Sequence, residues 1–285
     1  MLSSVSDLRE HAVRVLTAAG VPAPDADAEL LIGHVLGLTR GQVQAKAVTD
    51  AGVGPDDRVA IIEAVERRAA REPLQHITGR AAFRSLELAV GPGVFVPRPE
   101  TETVAQVAID ALQAVASEVP VAVDLGTGSG AIALALATEV PHAQVIAVEN
   151  SPAAFVWAKQ NARAVANLRL VFADLAIALP DLDGTVDVVV SNPPYIPLGA
   201  IPRDPEVRLH DPEQALYGGP DGLDVVRAVS TRAAALLRPG GTLVLEHGEM
   251  QGAAIRELLT ADGWRAPVTT PDLLGRDRAT SATAG

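Results

Sequence analysis

"VDVVVSNPPY", Val186 to Tyr195, puts a rigid polar corner directly after a greasy run. Val186 to Val190 reads as a strand buried on both faces, because it lacks the in–out alternation of a half-exposed one. Pro193 and Pro194 then stop any further pairing, since proline offers no N–H and a nearly fixed φ. Asn192 and Tyr195 are therefore held at a strand end on stiff backbone. The neighbouring segments repeat the rhythm of strand, turn and helix: "PVAVDLG" (120–126) and a helix, "QVIAVEN" (144–150) and a helix, "LRLVFAD" (168–174), a helix from about 222, and "GTLVLEHG" (241–248). Such alternation predicts an open, mainly parallel sheet with helices on both faces. "WRAPVTT" (264–270) and "GRDRATSAT" (275–283) read as two closing strands forming an edge hairpin.

The bulk numbers set outer limits. The 285 residues are 48% hydrophobic and 20% charged, a globular composition with enough apolar side chains for a sizeable core. A formal net charge of -12, with Lys46 and Lys159 the only lysines, argues against stable binding of nucleic acid, which needs clustered cations against the phosphates. There is no cysteine, which excludes disulfides, thiolate metal sites and thiol catalysis. Met1 to Asp7 lacks a basic start followed by an apolar core, and no apolar run approaches the ~18 residues of a membrane span. The expectation is a cytoplasmic protein with no membrane partner.

Residues 1–72 read as helices. In "SDLREHAVRVLTAAG" (6–20), Leu8, Ala12, Val15, Leu16 and Ala19 share one face. "DADAELLIGHVLG" (25–37) repeats the pattern with Asp25 as expected N-cap. "GPDDRVAIIEAVERRAARE" (54–72) places Pro55 in a first turn and stops before Pro73. This segment reads either as a purely structural bundle or as a module that recognises a partner. Residues 73–103 differ: apolar residues alternate around Phe83, Leu86, Leu88 and Val90, then comes Gly91-Pro92-Gly93, which predicts a hairpin linker turning at those glycines. Residues 104–285 hold the alternating domain.

Chemistry concentrates on the rim where the strands end. "VDLGTGSGAIALALA" (123–137) carries Gly126, Thr127, Gly128, Ser129 and Gly130 between a strand and an Ala-rich helix. Glycines let a ligand approach the backbone, and a helix start offers free N–H groups. The spacing is G-x-G-x-G rather than the dinucleotide G-x-G-x-x-G. Glu149 ends the next strand 23 residues beyond Gly126, suited to both ribose hydroxyls, and Asp174 with Leu175 ends the third, suited to an adenine. Together these resemble an S-adenosylmethionine site. At the fourth strand end, the Asn192 side-chain oxygen and the Pro193 carbonyl could accept both N–H groups of a planar nitrogen. That aims its remaining lobe at a methyl donor, while Tyr195 stacks on the flat group. This is catalysis by orientation and fixed dipoles, without metal or covalent intermediate.

The glycine loop with Asn192-Pro193-Pro194-Tyr195 resembles class I methyltransferases acting on planar nitrogens. "VFVPRPETE" (94–102), "ALYGGPDGLDVVR" (215–227), "LEHGEMQG" (245–252) and "DLLGRDRAT" (272–280) narrow the resemblance to the PrmC/HemK family, over nearly the whole chain. The resemblance implies a class I S-adenosylmethionine-dependent α/β domain, Rossmann-like with an antiparallel C-terminal edge, behind a small all-α domain and a β-hairpin linker. It implies methyl transfer to the side-chain amide nitrogen of the glutamine in the Gly-Gly-Gln loop of peptide chain release factors, leaving S-adenosylhomocysteine. Asn192 would touch both cofactor and substrate, residues 1–72 would dock the release factor, and Arg98, Glu100 and Thr101 would line the pocket or anchor the linker. Glu149 stands where Asp is common, Leu175 where an aromatic is frequent, and Arg84-Ser85 where an aromatic-glycine pair is frequent. The alternative is an N6-adenine methyltransferase of DNA or RNA, which shares the Asn-Pro-Pro-Tyr logic but must flip a base and hold phosphates.

Overall fold

The computed structural model describes residues 2–285. It divides into two compact units, one running to Arg80 and including Pro202–His210, the other comprising Ala81–Ile201 and Asp211–Gly285.

The first unit is helical: α1 (Val5–Ala18), α2 (Pro24–Leu36), α3 (Arg40–Val48), α4 (Pro55–Ala69) and α5 (Leu74–Thr78). Its core is built from Leu8, Ala12, Leu16, Leu31, Ile32, Val43, Ile61 and Val65, all at most 1% exposed. Capping boxes start α1 (Ser4 with Asp7) and α3 (Thr39 with Gln42), satisfying helix-end N–H groups reciprocally. Asp25 is not the cap of α2: Ala23 holds that position, and Pro24 opens the helix because its missing N–H costs nothing there. Asp25 instead pairs with Arg9 at 3.2 Å. Buried Glu29 accepts hydrogen bonds from Arg9 Nε, Arg40 Nε and Gln44 Nε2 at 2.8, 2.6 and 2.8 Å.

The segment 202–210, expected within the alternating domain, belongs to this helical unit. Its short helix Pro205–His210 carries Glu206, whose buried carboxylate accepts from Arg68 Nη1 at 2.7 Å and Arg71 Nη2 at 2.6 Å. Arg68 also pairs with Asp27 at 2.7 Å, so each charge in the cluster has a partner, as burial demands.

The second unit, from Ala81, takes in the rest of β1 (Arg80–Phe83), then β2 (Leu86–Ala89) and α6 (Thr101–Gln113). The hairpin reverses at Arg84-Ser85, not at Gly91-Pro92-Gly93; Arg84 takes φ 52°. The Arg84 guanidinium is held on Glu139 at 2.5 and 2.7 Å, and the Arg84 backbone N–H donates to Glu102 Oε1 at 2.9 Å, which stabilise the turn without a glycine. Gly91 has another job: a Cβ there would lie 2.4 Å from the Trp157 ring. The hairpin side chains Phe83 and Leu88, with Val90, Val94 and Val96 after it, are part of this unit's apolar core.

Then follow β3 (Val121–Leu125), α7 (Ala131–Glu139), β4 (Gln144–Glu149), α8 (Pro152–Asn161), β5 (Leu168–Phe172), β6 (Val186–Ser191), α9 (Asp224–Leu236), β7 (Leu237–Glu246), α10 (Gly252–Ala261), β8 (Arg265–Pro271) and β9 (Asp277–Thr283). The seven strands lie in the order β5-β4-β3-β6-β7-β9-β8. The first five are parallel, and β9 is antiparallel to both its neighbours, giving the expected edge hairpin. Alternate residues of the central strands feed two apolar layers: Ala122, Val188 and Val190 join α6 and α7, whereas Val123, Val189 and Leu243 join α9 and α10. Burial on both faces explains why Val186 to Val190 shows no polar alternation beyond Asp187. Asp187 is held at the strand's start by the Val121 N–H at 2.8 Å and Arg238 Nε at 2.6 Å.

Candidate active site

The strand order reverses between β3 and β6, since the chain leaves β5 at one edge and returns beside β3. Ligands of open α/β sheets bind at such a point, beyond the carboxyl ends of the strands. Leu125 pairs with Val148, Leu125 O accepts from Ser191 Oγ at 2.5 Å, and Ser191 pairs with Leu245. One residue further on, Glu149, Gly126, Asn192 and Glu246 therefore follow one another across the rim.

The glycine loop is built for close approach. Gly126, Gly128 and Gly130 have φ of 79°, 59° and 89°, conformations that residues with a Cβ rarely adopt. A Cβ on Gly128 would meet nothing within 4 Å, so the loop presents bare backbone to open space. Thr127 faces inward, donating its hydroxyl to Asp124 Oδ2 at 2.6 Å, and buried Ser129 is pinned by Asn161 Nδ2 on its carbonyl at 2.9 Å. Asp124 Oδ1 is buried without a hydrogen-bond partner among the described residues. Burial pushes the Asp124 carboxyl up to about 7, against the pull of the Thr127 hydroxyl and the Ala133 N–H.

Glu149 closes the loop from the next strand. Its Oε2 accepts from the Gly128 N–H at 2.8 Å and its Oε1 from the N–H groups of Asn150 and Ser151 at 3.0 and 2.8 Å. These bonds aim the carboxylate along the rim and leave lone pairs for further donors. Asp174 is exposed and accepts from the Ala176 N–H at 2.9 Å, and Leu175 comes near Gly126, with Cδ2 3.7 Å from where a Cβ would stand. Gly128 and Glu149 thus touch at the rim, with Leu175 against Gly126.

Asn192-Pro193-Pro194-Tyr195 is clamped from two sides. Ile196 N–H donates to Leu216 O at 2.8 Å and Gly218 N–H to Ile196 O at 2.9 Å. A Cβ on Gly218 would sit 2.4 Å from Pro194 O, and one on Gly222 2.3 Å from Tyr195 O. That explains "ALYGGPDGLD": its glycines let a second backbone lie against the corner. Gln251 supplies the other jaw, donating Nε2 to Tyr195 O at 2.9 Å while its Oε1 accepts from the Gly248 N–H at 2.9 Å. The Asn192 side chain is half-buried, with Nδ2 3.4 Å from Thr101 Oγ1. Pro193 is buried, and Pro194 and Tyr195 are half-buried. The Tyr195 hydroxyl faces Glu246 Oε1 at 3.5 Å, and burial raises its pKa, so it stays a donor.

The "PRPETE" residues divide. Arg98 lies over the Phe95 ring at 5.0 Å and binds buried Asp211 at 2.7 Å, an anchoring arrangement. Glu100 precedes α6 as its cap residue, and Thr101, 4% exposed, reaches Asn192. Glu246 and Gln251 stand against Tyr195 and were not expected there. Glu246 and Gln251 lie in "LEHGEMQG", a stretch the resemblance singled out without assigning roles within it.

The family described as PrmC N-terminal domain matches residues 7–79, and the family described as methyltransferase small domain matches residues 85–200. A release factor glutamine methyltransferase of Streptomyces coelicolor is 51% identical over 274 residues, 95% of each chain. The protein belongs to the release factor glutamine methyltransferase family. A 4-amino-L-phenylalanine/4-methylamino-L-phenylalanine methyltransferase of Streptomyces pristinaespiralis is 42% identical over 89% of this chain and 86% of its own. Among solved structures, a methyltransferase from Pyrococcus furiosus shares the fold, with TM-score 0.52, 22% identity and coverage of 72% of this chain and 91% of that one.

S-adenosylmethionine is the cofactor of this methyltransferase family member. The residues at the rim fit it. The bare Gly128 backbone would admit the methionine portion, the buried Asp124 oxygen that has no partner among the described residues would suit an ammonium group, and the Glu149 carboxylate would suit a ribose. When bound, the cofactor supplies an electrophilic methyl group.

Proposed function

We propose that the protein methylates the side-chain amide nitrogen of the glutamine in the Gly-Gly-Gln loop of a peptide chain release factor. The observation that carries this reading is the Asn192 carboxamide, fixed on a clamped corner directly beside the glycine loop, with Nδ2 turned to Thr101. Oδ1 is then the end offered outward, an acceptor for a substrate N–H. The Pro193 carbonyl is the second acceptor, and the Tyr195 ring is a flat wall for the amide plane. An amide nitrogen is a poor nucleophile because its lone pair is delocalised. Holding both its N–H groups in one plane keeps the lone-pair lobe on the methyl donor, a contribution of orientation and preorganised dipoles. Gly126 to Gly130, Glu149, Asp174 and Leu175 hold the cofactor in this reading, and the proton leaves the nitrogen after transfer.

The helical unit docks the release factor, and the reaction belongs to the cytoplasm, where termination occurs. The first support is the relatives' names at up to 51% identity over 95% of the chain. The second is the net charge of -12, which suits a protein partner better than a phosphate backbone. Among the described residues no helix is long and apolar enough to cross a membrane. The test offers labelled cofactor with intact release factor, the factor with its loop glutamine changed to alanine, a short Gly-Gly-Gln peptide, duplex DNA and 4-amino-L-phenylalanine. Label on the intact factor, little on the peptide and none on the others is expected. Label on DNA or on the free amino acid overturns the substrate assignment, and equal label on peptide and factor overturns the docking role.

A further inference from the structure

Asn192 divides the reaction rim in two. In the strand order β5-β4-β3-β6-β7-β9-β8, the residues assigned to the cofactor stand at the ends of β3, β4 and β5, and Asn192 follows β6. The ends of β7, β9 and β8 are left for whatever presents the substrate nitrogen. That half of the rim carries exposed apolar side chains. Leu198, 60% exposed, lies three residues past Tyr195, and Met250, 87% exposed, stands in the turn after β7. Leu273 and Leu274, 100% and 77% exposed, form the tip between β8 and β9.

The strand register places these side chains. Ser191 pairs with Leu245, Glu246 with Ala279 and Ala279 with Thr270, so Asn192, Glu246, Ala279 and Thr270 run level across four neighbouring strands. The tip between β9 and β8 is therefore two to three strand spacings, roughly 10–14 Å, to the side of Asn192, and Leu273 projects three residues further out. Met250 is nearer: its neighbour Gln251 bonds Tyr195 O at 2.9 Å. Leu198 is fixed by its N–H on Gly219 O at 2.8 Å. Neither tip leucine belongs to an apolar core of this unit. The turn closes without their side chains: the Asp272 carboxylate accepts from the N–H groups of Leu274 and Arg276 at 2.9 and 3.0 Å and from Arg276 Nε at 2.9 Å, and Gly275 N–H donates to Asp272 O at 2.8 Å. Turn centres ordinarily hold Gly, Asn, Asp, Ser or Pro. Two adjacent leucines held out on a rigid turn beside a reaction site mark an interaction surface.

We propose that Leu273 and Leu274, with Met250 and Leu198, form an apolar docking rim on the catalytic unit, which buries against the body of the release factor while its glutamine occupies the Asn192 corner. The inference rests on the glutamine-amide reading above. Continuity with the corner fixes the occupant: a protein whose loop glutamine reaches Asn192 extends over the half of the rim that the cofactor leaves clear. Apolar burial there is the same before and during methyl transfer, so it strengthens association and leaves the chemical step alone. It also gives the intact factor an advantage over any small amide, which can enter the corner but cannot span to the tip.

The test compares the full chain with its Leu273→Ser/Leu274→Ser variant on intact release factor and on a pentapeptide with the loop glutamine at its centre, using labelled cofactor. Two residues on either side of that glutamine reach about 7 Å, short of the tip. On the intact factor the double variant should raise KM about tenfold, the scale of one buried leucine, with kcat within twofold of wild type. On the pentapeptide, read at high enzyme concentration, kcat/KM should stay within twofold. Leu273→Met/Leu274→Met keeps the tip apolar and should restore the KM for the factor. Melting temperature and cofactor Kd by calorimetry should match wild type throughout. An unchanged KM on the factor, an equal loss on the pentapeptide, or a rise in KM that comes with a lower melting temperature or weaker cofactor binding each overturn the docking rim while leaving the glutamine reading intact. Sedimentation of the enzyme alone tests a second copy as occupant: a dimer that the serine variant dissociates overturns the proposal too. A wild-type enzyme that labels only another substrate overturns the glutamine reading first, and the docking rim with it.

Discussion

Replacing Gly218 by alanine should damage catalysis without touching a single group that meets the cofactor or substrate. Gly218 lies in the loop before α9, and the Cβ of an alanine there would stand 2.4 Å from Pro194 O and 2.6 Å from Gly222 O. Both neighbours are backbone and cannot swing aside. Ordinary contact begins near 3.4 Å, so the corner must retreat by about 1 Å, on the scale at which misplacement costs about 10²-fold in rate. Asn192 and Pro193 travel with Pro194, so both proposed acceptors leave the plane of the substrate amide. The glycine loop and Glu149, hung on β3 and β4, stay where they are. The expected result is a kcat lower by about 10²-fold, with cofactor Kd by calorimetry within twofold of wild type. A stability loss of about 1–3 kcal/mol in urea unfolding, typical of overpacking, should accompany it. Single-turnover methylation of intact release factor is the assay. A kcat within twofold of wild type, in a variant that folds, would show that the corner's position does not govern the rate.

Three further outcomes follow from the geometry. Asn192→Ala should keep its fold and most of its cofactor affinity while losing roughly 10²–10³ in kcat, the cost of a preorganised polar contact, measured in the same assay. Glu206→Ala should destabilise the helical unit by about 3 kcal/mol, because Arg68 and Arg71 lose a shared buried partner; chemical denaturation followed by circular dichroism reads this directly. Asp124 sets a pH dependence. Its folded value of about 7 lies above the 3.8 of an ordinary aspartate, so its contribution to stability is fully present below about pH 4 and lost as pH rises through about 7. The cofactor-free melting temperature should therefore fall between those values, and Asp124→Asn should flatten the fall.

Much of the site could be read from the chain because its parts are local. A glycine loop between an apolar strand and an Ala-rich helix, and Asn192-Pro193-Pro194-Tyr195 after Val186 to Val190, each carry their geometry within about ten residues, and the alternation of strand and helix places them on one rim. What escaped was either faint locally or remote in sequence. Helix α3 has one fully buried apolar side chain, Val43, so its periodic signal is weak. Helix α6 has a clear apolar face in Val104, Ala105, Ala108, Ile109 and Leu112 but begins inside the proline-rich "VFVPRPETE", whose prolines carry the signature of a linker. The hairpin turn lacks glycine and rests on Arg84, whose partner Glu139 is 55 residues away. Glu206 meets Arg68 across 138 residues, and nothing in "PEVRLH" announces that. Glu246 is one acid among 35 acidic residues until β7 is laid beside β6, when it proves to share the rim with Asn192.

The central claim, a methyl group placed on one glutamine amide, is tested most directly by mapping the product. Intact release factor is incubated with the enzyme and cofactor, digested, and each peptide sequenced by tandem mass spectrometry. A single added methyl on the side chain of the Gly-Gly-Gln glutamine, absent with Asn192→Ala, is the predicted result. A methyl on any other residue, or an unmodified factor alongside active turnover of a different substrate, would contradict it.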